Sequence, residues 1–252
     1  MKTLTLWVWL KARPEIWATH AALVLVGLGS YLFFRFPFNF ARVHGREHVP
    51  KESRNVLIVS NHTTMFDSFF VGAALYFPSL ITKPGRPPIN FADQQNYFTT
   101  WYIRLLLRLL RTEPVPSRTS SRIMQGYESL LKRRNLLVFY QGTRSHNLTK
   151  IKAGPAYAVA TAETAPLVVP VYHEGAERIF RKGGPKTHGF WRWMPLSLFR
   201  KPSVIIGEPI PMDDLRQIPD LRGKIEAIND RIVESILALQ NELRSKKQKV
   251  AH

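Results

Sequence analysis

Between Ile16 and Phe34 runs a stretch of 19 residues, IWATHAALVLVGLGSYLFF, with no charged side chain in it. A helix needs roughly 20 apolar residues to cross the hydrocarbon layer of a bilayer, so this run demands lipid or a protein core around it. A shorter apolar stretch, Leu4–Leu10, precedes it, and Lys11, Arg13 and Pro14 break the two apart. The pattern fits a single span or a re-entrant helical hairpin that enters one leaflet and returns. Cations flank both sides, Lys2, Lys11 and Arg13 before and Arg35, Arg42 and Arg46 after, so counting them assigns no orientation. No small-x-small site follows the run before Arg35, which argues against a cleaved signal peptide. Residues 1–42 therefore read as an N-terminal membrane anchor and 43–252 as the domain it carries. The expected location is a membrane, at the cytoplasmic face of the inner (plasma) membrane. The competing reading, a buried helix of a soluble fold, sits less well with Trp7, Trp9 and Trp17.

Charge narrows the partners. The 252 residues hold 36 Lys+Arg against 18 Asp+Glu, a net +18, which points to a polyanion: nucleic acid, an anionic membrane face or phosphorylated substrates. Nucleic acid explains the charge but not the apolar run, and is not expected as a partner. The chain has no cysteine, which removes disulfides, thiolate nucleophiles and cysteine-ligated metals together. His44, His48, His62 and His173 are scattered without ligand spacing, so no metal site is expected.

Beyond residue 50 short β-branched runs alternate with helical spacing. Residues 55–60, 136–140, 166–172 and 203–207 read as buried strands, and 120–134, 153–163 and 220–244 as helices. Alternation of this kind predicts an α/β fold with a mostly parallel central sheet flanked by helices. The basic tail from Arg244 is expected to fray into solvent. Phe98–Arg111 places Arg104, Arg108 and Arg111 on one helical face among leucines and aromatics, and Phe190–Lys201 mixes aromatics with cations; both read as interfacial.

Two places carry candidate chemistry. The strand ending at Ser60 runs straight into Asn61-His62-Thr63-Thr64-Met65-Phe66-Asp67. Open α/β sheets place their sites just past the carboxyl ends of strands. Residues i and i+5 do not share a helix face. His62 and Asp67 therefore meet only if His62 lies in the turn and Asp67 in the first helical turn, its carboxylate reaching back. Such a pair leaves the other ring nitrogen free as a general base; the alternative is a structural histidine capping a helix. The second place is Phe139-Tyr140-Gln141-Gly142-Thr143-Arg144-Ser145, where Gly142 permits a tight turn and Arg144 offers a fork for a phosphate monoester.

Taken together, Asn61-His62-x4-Asp67 and, about 75 residues on, Phe139-Tyr140-Gln141-Gly142-Thr143-Arg144-Ser145 resemble the glycerolipid acyltransferases, the lysophosphatidic acid and glycerol-phosphate acyltransferase family. Lys152-Ala-Gly154 and Leu167-Val-Val-Pro170-Val171 resemble two further blocks of that family. The resemblance implies an O-acyltransferase domain that moves a fatty acyl chain from acyl-CoA or acyl carrier protein to a lysophospholipid, 1-acyl-sn-glycerol 3-phosphate in the simplest case, without a further cofactor. His62 would be the general base and Asp67 its orienting partner. Gln141, Gly142, Thr143 and Arg144 would bind the acceptor, with Arg118 as a second phosphate ligand and Arg111 competing for that role. Pro170 would serve donor binding or local shape. One departure stands out: where the family has Pro-Glu, this chain has Tyr140-Gln141. Loss of the carboxylate fits another lysolipid acceptor, acyl exchange between phospholipids, or a catalytically weakened lipid-binding relative.

Overall fold

The computed structural model describes residues 14–52, 54–115, 126–127, 129–180, 194–195 and 197–251. Five strands form the main sheet: β1 (Arg42–His44), β2 (Val56–Ser60), β5 (Leu136–Phe139), β6 (Leu167–Glu174) and β7 (Ser203–Ile206), in the order β1-β7-β6-β2-β5. All pairings are parallel except β6 with β7. A second parallel pair, β3 (Asn90–Asp93) with β4 (Thr112–Val115), adjoins β5 through a bridge from Ile89 to Leu136. The sheet is mostly parallel and flanked by helices, as the alternation predicts.

Alternation along β2 explains why every residue in it is buried. Leu57 and Val59 face a core shared with α5 (Gly154–Thr161) and the long α7 (Leu221–Ala251). Val56 and Ile58 face the opposite core, shared with α1 (Pro14–Phe34) and α2 (Asp67–Tyr76). A strand covered on both faces needs continuous apolar sequence, and VLIV supplies it.

The apolar run forms α1, and by length and composition its Glu15–Phe34 stretch suffices to cross a membrane. The helix is not free-standing. Its face at Val24, Gly27, Tyr31 and Phe34 packs on α2 and the turn after it: Phe34 stacks on Phe70 at 4.5 Å and Tyr31 on Phe77 at 4.7 Å. Gly27 permits the approach, because a Cβ there would meet Leu80 at 2.9 Å. The opposite face leaves Trp17, Leu25, Leu28 and Leu32 exposed.

Two expectations need correction. The tail does not fray: α7 continues to Ala251, with Leu243 buried, Lys246 paired with Glu242 at 3.1 Å and Lys247 with Glu174 at 2.6 Å. One buried leucine and two ion pairs extend the helix past a sequence that looks only basic. The interfacial helix after Phe98 is shorter than expected. Only α4 (Trp101–Leu109) lies within that stretch, preceded by the short α3 (Gln94–Tyr97), and Arg111 falls outside it at φ 55°. Within Phe190–Lys201, residues 190–193 and 196 lie outside the described residues, and within the expected helix 120–134, residues 120–125 and 128 do.

The start of β2 is held by one polar side chain. Asn135, almost fully buried, accepts the Val56 N–H at 3.2 Å and donates to the carbonyls of Glu52 and Arg86 at 3.0 and 2.9 Å. Replacing it with alanine strands the buried Val56 N–H and removes two further hydrogen bonds, at about 1–3 kcal/mol for an orphaned buried group. Urea unfolding of Asn135→Ala should show that loss; an unchanged midpoint would refute this role.

Candidate active site

Strands β5, β2 and β6 lie side by side and parallel, so their carboxyl ends open onto one edge of the sheet. Just past β2 comes His62, past β5 the turn at Tyr140–Gly142, and near the end of β6 His173. Helix α2 starts at Asp67, which brings its first turn to the same edge.

The spacing argument for His62 and Asp67 holds in geometric detail. His62 sits in the turn, and its Nδ1 lies 2.8 Å from Asp67 Oδ2. The carboxylate is fully buried and saturated with donors. Its Oδ2 also accepts the backbone N–H groups of Thr63 at 2.6 Å and Thr64 at 2.9 Å, and its Oδ1 the Thr64 hydroxyl at 2.6 Å. An acceptor-only carboxylate fixes the proton of His62 on Nδ1 and leaves Nε2 with its lone pair. Nε2 has no partner among the described residues, and the side chain is 22% exposed. Phe139 stacks on the ring at 4.3 Å and fixes its plane.

Burial pushes the Asp67 carboxyl up, but the facing His173 imidazole, the hydrogen bond and charge of His62 and the Thr64 hydroxyl outweigh it and hold the group down at about 2.

Gln141 is placed differently from the expectation. It is fully buried and does not face the opening. Its Oε1 accepts the His62 N–H at 2.6 Å, and its Nε2 donates to the carbonyls of Ser145 and Asn147 at 3.0 and 2.7 Å. The reading of Gln141 as a substrate-binding residue is therefore corrected: its oxygen and both amide hydrogens are committed to backbone, and it holds the loop against His62. Neither propensity nor motif spacing carried a signal for that role.

Gly142, Thr143 and Arg144 are brought to the site and exposed. Gly142 has φ 67°, and a Cβ there would collide with Lys152 at 2.6 Å, so the turn requires glycine. The loop is pinned at its far end by Ser145 N–H on the His62 carbonyl at 2.8 Å. The Thr143 hydroxyl accepts from Lys150 at 3.2 Å, and the Arg144 guanidinium has no partner among the described residues. Pro170 is buried within β6 beside Val59. Arg118 lies outside the described residues, just beyond β4. Arg111 does not compete with it: it precedes Thr112, which pairs with Asn90, next to the Ile89–Leu136 bridge at the amino end of the sheet. There its Nη1 donates to the Pro87 carbonyl at 3.0 Å, and burial beside Arg134 lowers it to about 10. Among the described residues no cluster of three or more His, Asp and Glu has the grouping of a metal site.

A partly exposed histidine held by a buried carboxylate at the open end of a parallel sheet, with the Gly142 turn following the adjacent strand, is an arrangement that can act as a general base. A family model described as Acyltransferase matches residues 40–174, more than half of the chain and both motifs, and the chain belongs to that family. No curated protein sequence matches it. Among solved structures it is similar to PlsC, the 1-acyl-sn-glycerophosphate (LPA) acyltransferase from Thermotoga maritima, with 21% identity over 87% of this chain and 80% of that one and a TM-score of 0.56. That likeness is one of fold.

Two outcomes follow from the site. Gln141→Glu would aim a carboxylate oxygen at two carbonyls, so the loop opens or the acid stays protonated; the melting temperature should fall by an amount equivalent to about 1–3 kcal/mol, and turnover should drop with it. Stability undiminished in Gln141→Glu would overturn this account of the clamp. Second, the folded Asp67 carboxyl titrates below its ordinary value, so its stabilisation is full above about pH 4 and is lost as pH falls toward about 2. The stability gap between the parent and Asp67→Asn should therefore narrow over that window by on the order of 2 kcal/mol, read by urea unfolding at stepped pH. A gap constant with pH would contradict it.

Proposed function

We propose that the protein is a membrane-bound O-acyltransferase that passes a fatty acyl chain from acyl-CoA or acyl carrier protein to a lysophospholipid, 1-acyl-sn-glycerol 3-phosphate first among the acceptors, giving phosphatidic acid. The observation that carries this is the His62 ring, oriented by Asp67 at 2.8 Å with Nε2 open, on a turn whose His62 carbonyl accepts the N–H of Ser145, the residue after Arg144. In this mechanism Nε2 removes the proton of the acceptor hydroxyl as its oxygen attacks the thioester carbonyl. The buried carboxylate stabilises the imidazolium that forms. Collapse of the tetrahedral adduct breaks the C–S bond, and the imidazolium returns its proton to the leaving thiolate. Arg144 and Thr143 meet the acceptor phosphate, a planar fork and a hydroxyl suited to a phosphate monoester. No covalent acyl-enzyme is needed, and no metal or cofactor takes part.

The lipid side of the reading rests on exposed apolar surface. Trp17, Leu25, Leu28 and Leu32 of α1 adjoin Trp101, Tyr102 and Leu105 of α4, which packs beside it. Past the end of α1, Phe36, Phe38 and Phe40 are exposed together with Phe199, which is 68% exposed and tied to that segment by its N–H on the Phe38 carbonyl. Exposed Arg35, Arg200 and Lys201 lie among these phenylalanines. A continuous apolar patch with a cationic collar suits the headgroup boundary of an anionic bilayer. Since α1 is packed on the domain from Val24 onward, we place the helix in one leaflet with its outer face to lipid. The site would face the cytoplasmic leaflet, where the donor and acceptor are found.

Acyl transfer from labelled long-chain acyl-CoA or acyl-carrier protein into mixed lysolipids tests the chemistry. His62→Ala should lower kcat by roughly 10²–10⁴-fold, the range of a general base. The labelled product names the acceptor, and a parent that binds lipid without turnover with any donor would instead mark a lipid-binding relative. For the surface, the chain lacks cysteine, so Phe199→Cys accepts a single environment-sensitive fluorophore. Its emission should shift to the blue on vesicles containing phosphatidylglycerol, and a label at Glu226→Cys, on exposed α7, should not move. An unshifted label at 199 on vesicles that retain the protein would remove Phe199 from the lipid contact.

A further inference from the structure

A second histidine stands behind the His62–Asp67 pair. His173, on β6, is fully buried, and neither family motif includes it. Three hydrogen bonds of 2.9 Å tie it to Asn61, the residue before His62: Asn61 Nδ2 donates to the His173 carbonyl, His173 N–H donates to Asn61 Oδ1, and the ring Nε2 faces the Asn61 carbonyl. A carbonyl only accepts, so the ring proton sits on Nε2; Nδ1 is buried with no partner among the described residues. That same Nε2–H lies 3.5 Å from Asp67 Oδ2, the oxygen that takes the His62 proton donor. The ring is held in place on its other side by the edge of Phe70 at 5.9 Å.

We propose that His173 is a positioning residue for the reaction, which holds His62 through Asn61 and sets how strongly Asp67 holds the His62 proton. The positive end of its N–H faces Oδ2 and draws off part of the carboxylate's negative potential. A carboxylate with that dipole removed binds the imidazolium proton more tightly, so the base stays protonated to a higher pH. The groups acting on Asp67 are the two imidazoles, from the end of β2 and from β6, and the Thr63 and Thr64 donors of the intervening turn. The inference rests on the proposed role of His62 as base.

Glutamine and asparagine separate the electrostatic role from a packing one. His173→Gln can set an amide N–H where Nε2–H was, whereas the shorter side chain of His173→Asn reaches only the position of Nδ1. In His173→Asn the acid limb of the kcat/KM–pH profile should move up by about half a pH unit, a fraction of the effect of a full charge at this distance, while His173→Gln keeps the parent profile. The acid loss of stability assigned to Asp67 should also begin at higher pH in His173→Asn, and this is read by unfolding without any activity. Coincident profiles and coincident acid unfolding in the parent and both variants would overturn the proposal, whatever the change in melting temperature. A His62→Ala control separates the two readings. If it is inactive while His173→Asn shows no shift in either readout, the inference about His173 fails alone. If it remains active, the reading of His62 fails, and acid unfolding still decides whether His173 acts on Asp67.

Discussion

Everything at this site is arranged around a carboxylate buried where water cannot reach it. A charge in that position is costly unless hydrogen bonds replace its solvent, and Asp67 has them from the His62 ring, two backbone N–H groups and the Thr64 hydroxyl. Those donors come from three consecutive turn positions, 62–64, between β2 and α2, so satisfying the charge dictates the path of the turn. The turn in turn presents His62. Orientation of the base and solvation of the buried acid are one structural requirement, which is why neither side chain tolerates being treated as a separate part.

Gln141 extends the same constraint to the neighbouring strand. Its amide couples the His62 backbone, just past β2, to the loop after β5, and every polar atom of the side chain is used. An amide suits this place because it needs to accept once and donate twice. A carboxylate meets the first need and fails the second. The departure from the family's Glu is thus matched locally by two carbonyls that only a donor can satisfy, and the exposed chemistry is left to Thr143 and Arg144. Cationic character near the site follows from Arg144 standing free rather than from a polar group lost out of the pocket.

The exposed apolar helix α1 and the site are joined by aromatic packing. Phe66 immediately precedes Asp67 and stacks on Phe180 at 4.0 Å; Phe180 in turn contacts Phe33 and Phe34 at the end of α1. The apolar helix is therefore part of the core behind the turn that holds the catalytic pair, and not a tether attached to a finished domain. Contacts of this kind set the depth of the site relative to the outer face of α1.

Periodicity made the four central strands, the α/β class and the His62–Asp67 meeting legible, because each depends on local patterns: β-branched runs covered on both faces, and a five-residue spacing that admits only one turn geometry. The acceptor loop was legible through Gly142, whose positive φ excludes a Cβ. What stayed hidden depended on residues far apart in the chain. Gln141 looked like a pocket residue because its partners, the carbonyls of Ser145 and Asn147 and the N–H of His62, carry no side-chain signature. The helical tail depended on Glu174 meeting Lys247, 73 residues away, and Arg111 looked like a member of a cationic face until the register of β4 set it at the opposite end of the sheet. His173 meets Asp67 only because β6 pairs with β2. Short-range hydrogen-bonding and steric rules act within a few residues and can be read from the sequence; the pairing of strands and the burial of polar side chains bring together groups tens to about a hundred residues apart, and those only the tertiary structure decides.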